Sequence, residues 1–208
     1  MKTELIPVIH ILNERQALIN VETCLANNIV KIFLINHAVS DRDLLECANH
    51  VKQKYPSLWV GVNRLGVSTV NAVNAQLSGI DGLWCDGTLT VENAQKYRKF
   101  DGLFFGGLAF KYQPQPTDLQ IACEEAKLAT DVATTSGIGT GQAADVQKIN
   151  QIRSFLGSHP MAIASGVSAE NVDNYKGIAN YLLVATSITD RNELIINEKL
   201  AELKAKLD

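Results

Sequence analysis

Little in this sequence invites metal, disulfide or membrane chemistry. The four cysteines, Cys24, Cys47, Cys85 and Cys123, lie far apart and form no CxxC pair. That spacing suits reduced thiols in a cytoplasmic protein rather than a zinc cluster or a disulfide framework. No apolar run approaches the roughly 18 residues of a membrane-spanning helix. The opening stretch MKTELIPVIHILNE lacks the apolar core and small-residue cleavage site of a signal peptide. Net charge is −3 with no large Lys/Arg cluster, so the electrostatic footprint of a nucleic-acid binder is missing. Two phosphate-binding signatures are missing as well. No Gly-Lys-Ser/Thr occurs, and the glycines of TTSGIGTG (134–141) fall at 137, 139 and 141, with Gln142 next. A dinucleotide loop needs G-x-G-x-x-G after a first strand, so that reading fails on spacing.

What the chain has is alternation. Eight short apolar runs recur from end to end: 5–11, 30–36, 58–63, 81–86, 101–107, 131–136, 161–165 and 180–186. Continuous apolar character suits strands covered on both faces, as in a parallel sheet. Amphipathic stretches at 14–28, 41–55, 68–79, 91–99, 116–129, 144–157, 168–177 and 191–207 separate them and read as helices. Asp41, Thr90, Thr117 and Ser168 stand at N-cap positions, and Gly79, Gly157 and Gly177 follow helices. A doubly wound sheet shares this alternation, but eight units with no strand left over favour a single-domain (β/α)8 TIM barrel over residues 1–208.

A barrel places its chemistry at the C-terminal ends of its strands. After the last three strands stand Ser136 with the Gly137, Gly139 and Gly141 loop, then Ser165-Gly166, then Thr186-Ser187. Small residues, hydroxyls and free amides at a helix start make a phosphate cradle. The plainer alternative is a set of tight turns and caps.

His10, Asp86 and Lys111 are the candidate catalytic groups. His10 ends the first strand with a side chain suited to proton transfer near neutrality. Asp86 ends the fourth, where a carboxylate either partners His10 or closes a turn with Gly87. Lys111 follows the fifth and would pair with a substrate anion; a Schiff base there would call for a lysine within the strand. Asn36, Asn63 and Arg64 are candidate substrate contacts, Arg64 being equally able to bridge an acidic neighbour. Cys85 reads as a small apolar filler. His10, His37 and Asp86 come nearest to a metal donor set, but no alternating His/Asp pattern supports one, so neither metal nor cofactor is expected.

The segments VIHI (8–11), FLIN (33–36), VGVNRL (60–65), TSGIGTGQAADVQKI (135–149) and ASGVSAENVDNY (164–175) together resemble the BtpA family. Its members are TIM barrels of the ribulose-phosphate-binding kind, described as photosystem I biogenesis factors and sugar-metabolism-associated proteins. The SGVSAENV turn alone is similar to phosphoribosylanthranilate isomerase. The chain departs from the BtpA pattern in places. NERQ replaces a proline-rich segment, Ile35 stands where the family has Glu, and Tyr112 stands where it has His beside a retained Lys111. The resemblance implies a phosphate-binding barrel, either an isomerase- or lyase-type enzyme on a small phosphorylated sugar or phosphoribosyl metabolite, or a non-catalytic assembly factor that keeps the anion pocket. His10, Asp86 and a bound anion sharing one cleft within hydrogen-bond reach would favour the enzyme; His10 buried in a salt bridge with no anion near Gly166 would favour the factor. The expected partner is a small phosphorylated molecule, and a homo-oligomer is left open. Leu194, Ile195, Leu200 and Leu203 in the last helix suit packing on the barrel better than a separate interface.

Overall fold

The computed structural model describes residues 2–208. Eight parallel strands close in sequence order into a barrel: β1 (Glu4–His10), β2 (Lys31–Ile35), β3 (Trp59–Asn63), β4 (Gly82–Cys85), β5 (Leu103–Gly107), β6 (Val132–Thr135), β7 (Met161–Ala164) and β8 (Tyr181–Val184). Glu4 pairs with Tyr181, so β1 and β8 seal the sheet and leave no edge. The protein is a single-domain (β/α)8 TIM barrel.

Among the described residues seven α-helices surround it: α1 (Glu14–Ala26), α2 (Asp41–Lys54), α3 (Thr69–Asn74), α4 (Val91–Tyr97), α5 (Leu119–Ala129), α6 (Val146–Leu156) and α7 (Asn197–Ala205). Strand alternation divides the core in two. Ile6, Val8, Phe33, Trp84, Phe105 and Leu183 fill the barrel interior, while Leu5, Ile9, Ile32, Leu34, Leu83 and Leu182 face the helices. Edge-to-face aromatic pairs, such as Phe33–Phe105 at 5.1 Å and Phe33–Trp84 at 5.8 Å, plug the interior below the C-terminal mouth.

Three segments differ from the sequence expectation. After β7 there is no α-helix, only a single 3-10 turn at Val172–Asn174. Asn171 explains it: its side chain accepts from Ser168 N–H and donates to the Gly166 carbonyl, drawing the backbone into a turn instead of a helix. Ser168 is therefore not a helix cap. The last helix begins at Asn197 rather than 191, because Asp190 accepts from the amides of Asn192 and Leu194 and closes a tight loop. Helix α3 stops at Asn74, short of the expected 79. Two caps shift by one residue. Ser40 caps α2 in a reciprocal box with Asp43, and Asp118 rather than Thr117 caps α5; Thr90 caps α4 as expected. No described helix is long and apolar enough to cross a membrane.

Candidate functional site

A cavity of about 470 Å³ opens at the C-terminal mouth of the barrel, within the size range of small-ligand sites. Its floor is apolar, formed by inward-facing Val8, Ile35, Trp84, Ala164 and Leu183. Strand alternation points His10 inward with Ile6 and Val8, and Asp86 inward with Trp84. His10, His37, Asp86 and Lys111 all line the cavity, so four titratable groups from four βα junctions meet in one space.

Their surroundings push several toward neutrality. Burial raises Asp86 above the ordinary carboxylate range, opposed by a hydrogen bond from Asn63 Nδ2 at 3.1 Å and by the Lys111 charge. Burial lowers Lys111, opposed by Asp86 and Tyr112. His37 is lowered by burial and by His10, whose ring centroid lies 4.5 Å away. His10 Nδ1 stands 3.2 Å from Glu193 Oε2, a carboxylate in the loop after β8. A carboxyl shifted up and an ammonium shifted down, as for Asp86 and Lys111, move in the direction that proton transfer near neutrality favours, whereas His37 moves away from it. Burial pushes the Cys85 thiol up to about 12, which makes it a poor nucleophile.

The loops after β6, β7 and β8 wall the other side. Thr140, Gly141, Ser165, Gly166, Thr186 and Ser187 all line the cavity. Ser165 is a non-glycine residue at φ 99°, a strained backbone at the rim, and Gly166 follows at φ 68°, which glycine adopts freely. Gly166 lies directly on the loop after β6: a Cβ there would stand 2.1 Å from the Gln142 carbonyl carbon. Gly137 answers a similar need, since its Cβ would meet the Gln142 carbonyl oxygen at 2.2 Å. Gly137 thus lets the loop after β6 fold back on itself, and Gly166 lets the loop after β7 lie against it.

The hydroxyls expected to bind an anion are mostly engaged within the protein. Ser136 is fully buried; its hydroxyl donates to the Gly137 carbonyl and accepts from Lys111 N–H. Ser165 Oγ donates to the Gly139 carbonyl at 3.4 Å, and Ser187 Oγ to the Val167 carbonyl at 2.6 Å. The amides of Gly166, Val167, Thr186 and Ser187, by contrast, find no acceptor among the described residues. Ser136, Gly137 and Gly139 lie behind the cavity wall instead of on it.

Asn36 and Arg64 also stand off the cavity. Asn36 accepts from Leu65 N–H and donates to the Leu65 carbonyl, fixing a residue that does line it. Arg64 makes a two-pronged contact with Asp41, at 2.8 and 2.7 Å. Asn63 reaches the site through Asp86. Tyr112 accepts from Thr140 N–H at 3.3 Å and so closes part of the rim. No group of three or more potential metal ligands occurs among the described residues. The sequence grouped His37 with His10, but Glu193 was not legible as their neighbour, because nothing local in sequence joins residues that far apart.

Comparison with known proteins places the chain by fold. No family model matches the sequence, and no curated protein matches it. Solved structures do. Phosphoribosyl anthranilate isomerase from Thermus thermophilus superposes with a TM-score of 0.69 at 16% identity, covering 98% of both chains. KDPG aldolase from Legionella pneumophila gives 0.68 at 14%, covering 99% of this chain and 92% of its own. Thiamine phosphate pyrophosphorylase from Pyrococcus furiosus gives 0.69 at 12%, covering 98% and 95%. At such identities the likeness is one of fold.

Proposed function

We propose that this barrel is an enzyme of the isomerase or lyase type acting on a small phosphorylated sugar or phosphoribosyl metabolite. One observation carries the reading: His10, His37, Asp86 and Lys111 line the same cavity as Gly166, Val167, Thr186 and Ser187, the residues of two adjacent loops whose amides are unpaired. The phosphate sits against the amides of Gly166, Val167, Thr186 and Ser187, with the exposed Thr186 hydroxyl as an added donor. Two of the compared structures, named for phosphoribosyl anthranilate and thiamine phosphate, carry a phosphate ester in their names.

With the phosphate anchored there, the rest of the ligand extends across the apolar floor toward His10 and Asp86. These two move protons, one as base and the other as acid, while Lys111 holds the negative charge that develops on an oxygen. Asn63 orients Asp86. Asn36 and Arg64 act from behind by fixing the loop that carries Leu65. Ser136, Gly137 and Gly139 shape the wall, and Gly141 and Ser165 border the anion.

The second reading, a BtpA-like assembly factor with a retained anion pocket, is favoured by one feature, the 3.2 Å contact of His10 Nδ1 with the Glu193 carboxylate. The shared cavity of His10 and Asp86 favours the enzyme. A thermal-shift panel of phosphorylated sugars and nucleotides tests the proposal, since a ligand bound only by the native state raises its melting temperature. A stabilising hit that is also consumed supports the enzyme. A hit never turned over supports the factor, and no response to any phosphate ester contradicts both.

A further inference from the structure

The loop after β8 carries more organisation than a connection needs. Thr189 bridges Ile195, Ile196 N–H donates to the Ile188 carbonyl, and Asp190 accepts from two amides across the turn. At its tip Glu193 adopts a left-handed backbone, φ 56°. Two buried side chains of α1 clasp that tip. Asn20, fully buried, donates to the Glu193 carbonyl and accepts from Ile195 N–H. Gln16 Nε2 donates to the Glu193 carbonyl at 2.7 Å and to the His10 carbonyl at 3.2 Å. One amide thus ties together the backbones of two residues whose side chains meet at 3.2 Å. Buried Asn and Gln are uncommon in a helix packed on a barrel; here Asn20 bonds only to this loop, and Gln16 links it to the segment after β1 through the His10 carbonyl and Leu12 N–H.

We propose that Glu193 is the positioning residue for His10: its carboxylate holds a proton on Nδ1 and leaves Nε2 as the nitrogen that exchanges protons with the ligand. A carboxylate beside one ring nitrogen selects the tautomer in this way. His37, in the loop after β2, packs its ring against that of His10, and Lys111 and Asp86 line the same cavity; among the described residues the carboxylate paired with Nδ1 is that of Glu193. The role deepens the proton chemistry proposed above and rests on it, but the tautomer is read with no substrate present, so the two can fail separately.

The test is a long-range proton–nitrogen NMR spectrum of the imidazole rings in the full-length protein at mildly alkaline pH, where only four histidines need assignment. The wild-type protein is expected to show His10 protonated on Nδ1. Glu193→Ala should move that proton to Nε2, with His50 and His159 unchanged as a check on folding. Glu193→Gln, whose amide oxygen still accepts, should keep it on Nδ1. A His10 already protonated on Nε2 alone in the wild type overturns the proposal, as does an unchanged tautomer in Glu193→Ala. Should Glu193→Ala not fold, the wild-type and Glu193→Gln spectra decide alone: both on Nδ1 supports the assignment, and either on Nε2 removes it.

Discussion

Gly166 and Gln142 meet backbone to backbone: a Cβ on residue 166 would stand 2.1 Å from the Gln142 carbonyl carbon. This contact joins the loops after β6 and β7, and with them the glycine-rich segment to the rim of the cavity. It also fixes where the free amides of Gly166 and Val167 stand. Within 137–141, Gly137 is required by the backbone of its own loop, and Gly141 lines the cavity.

Gly166→Ala is expected to destabilise the protein by about 2–4 kcal/mol, combining a left-handed backbone with overpacking. Gly177→Ala is the control, since Gly177 has φ 79° but open space where its Cβ would go. It should cost only about 1 kcal/mol. Chemical denaturation of both variants checks the difference, and equal losses would mean that the loop contact contributes nothing.

Asp86→Asn is expected to stabilise the protein at neutral pH by on the order of 1 kcal/mol, the usual gain when a strained functional group is removed. The sign follows from burial, which raises Asp86 above its ordinary 3.8. The folded state then holds the proton more tightly than the unfolded chain, so the wild type loses stability as pH rises from there through the folded value. The advantage of the variant should be full above that window and vanish in acid. Melting curves across pH read it directly, and a constant difference would remove burial as the cause.

Strand positions were legible because strands buried on both faces are continuous apolar runs, and each of the eight falls within a residue or two of its observed place. The rim residues followed from the strand ends. What was not legible depends on side-chain competition and distance. Asn171 diverts the expected seventh helix into a turn, and Asp190 delays the last one. Arg64 carries the same charge whether it faces a substrate or Asp41, and only the fold decides. Glu193 reaches His10 from the far end of the chain by barrel closure, a relation no local spacing encodes.

Arg64→Ala should lower stability by about 1–2 kcal/mol through the loss of a partly buried two-pronged pair. The Arg64 hydrogen bonds hold the Asp41 carboxyl below its ordinary range. Its contribution is thus present above the unfolded carboxylate value and lost as pH falls through the lower folded one. Denaturant midpoints of wild type and variant should converge in strong acid. Affinity for a phosphorylated probe should change less than about threefold, as expected of a residue with no ligand contact.

Lys111→Met should weaken binding of ribose 5-phosphate by about tenfold, the effect of one charge-assisted contact in a partly buried site. Fold and melting temperature should be retained, because Lys111 is only half-buried and desolvation already disfavours its charge. Calorimetric titration gives the ratio, and an unchanged affinity would place the ligand away from Lys111.

An anion held on the amides after β7 and β8 is best checked by backbone NMR titration of the labelled protein with inorganic phosphate and with ribose 5-phosphate. Saturable shifts are expected at Gly166, Val167, Thr186 and Ser187, with His10 and Asp86 responding only to the sugar phosphate. Shifts elsewhere on the surface, or none at these four amides at saturating ligand, would contradict it.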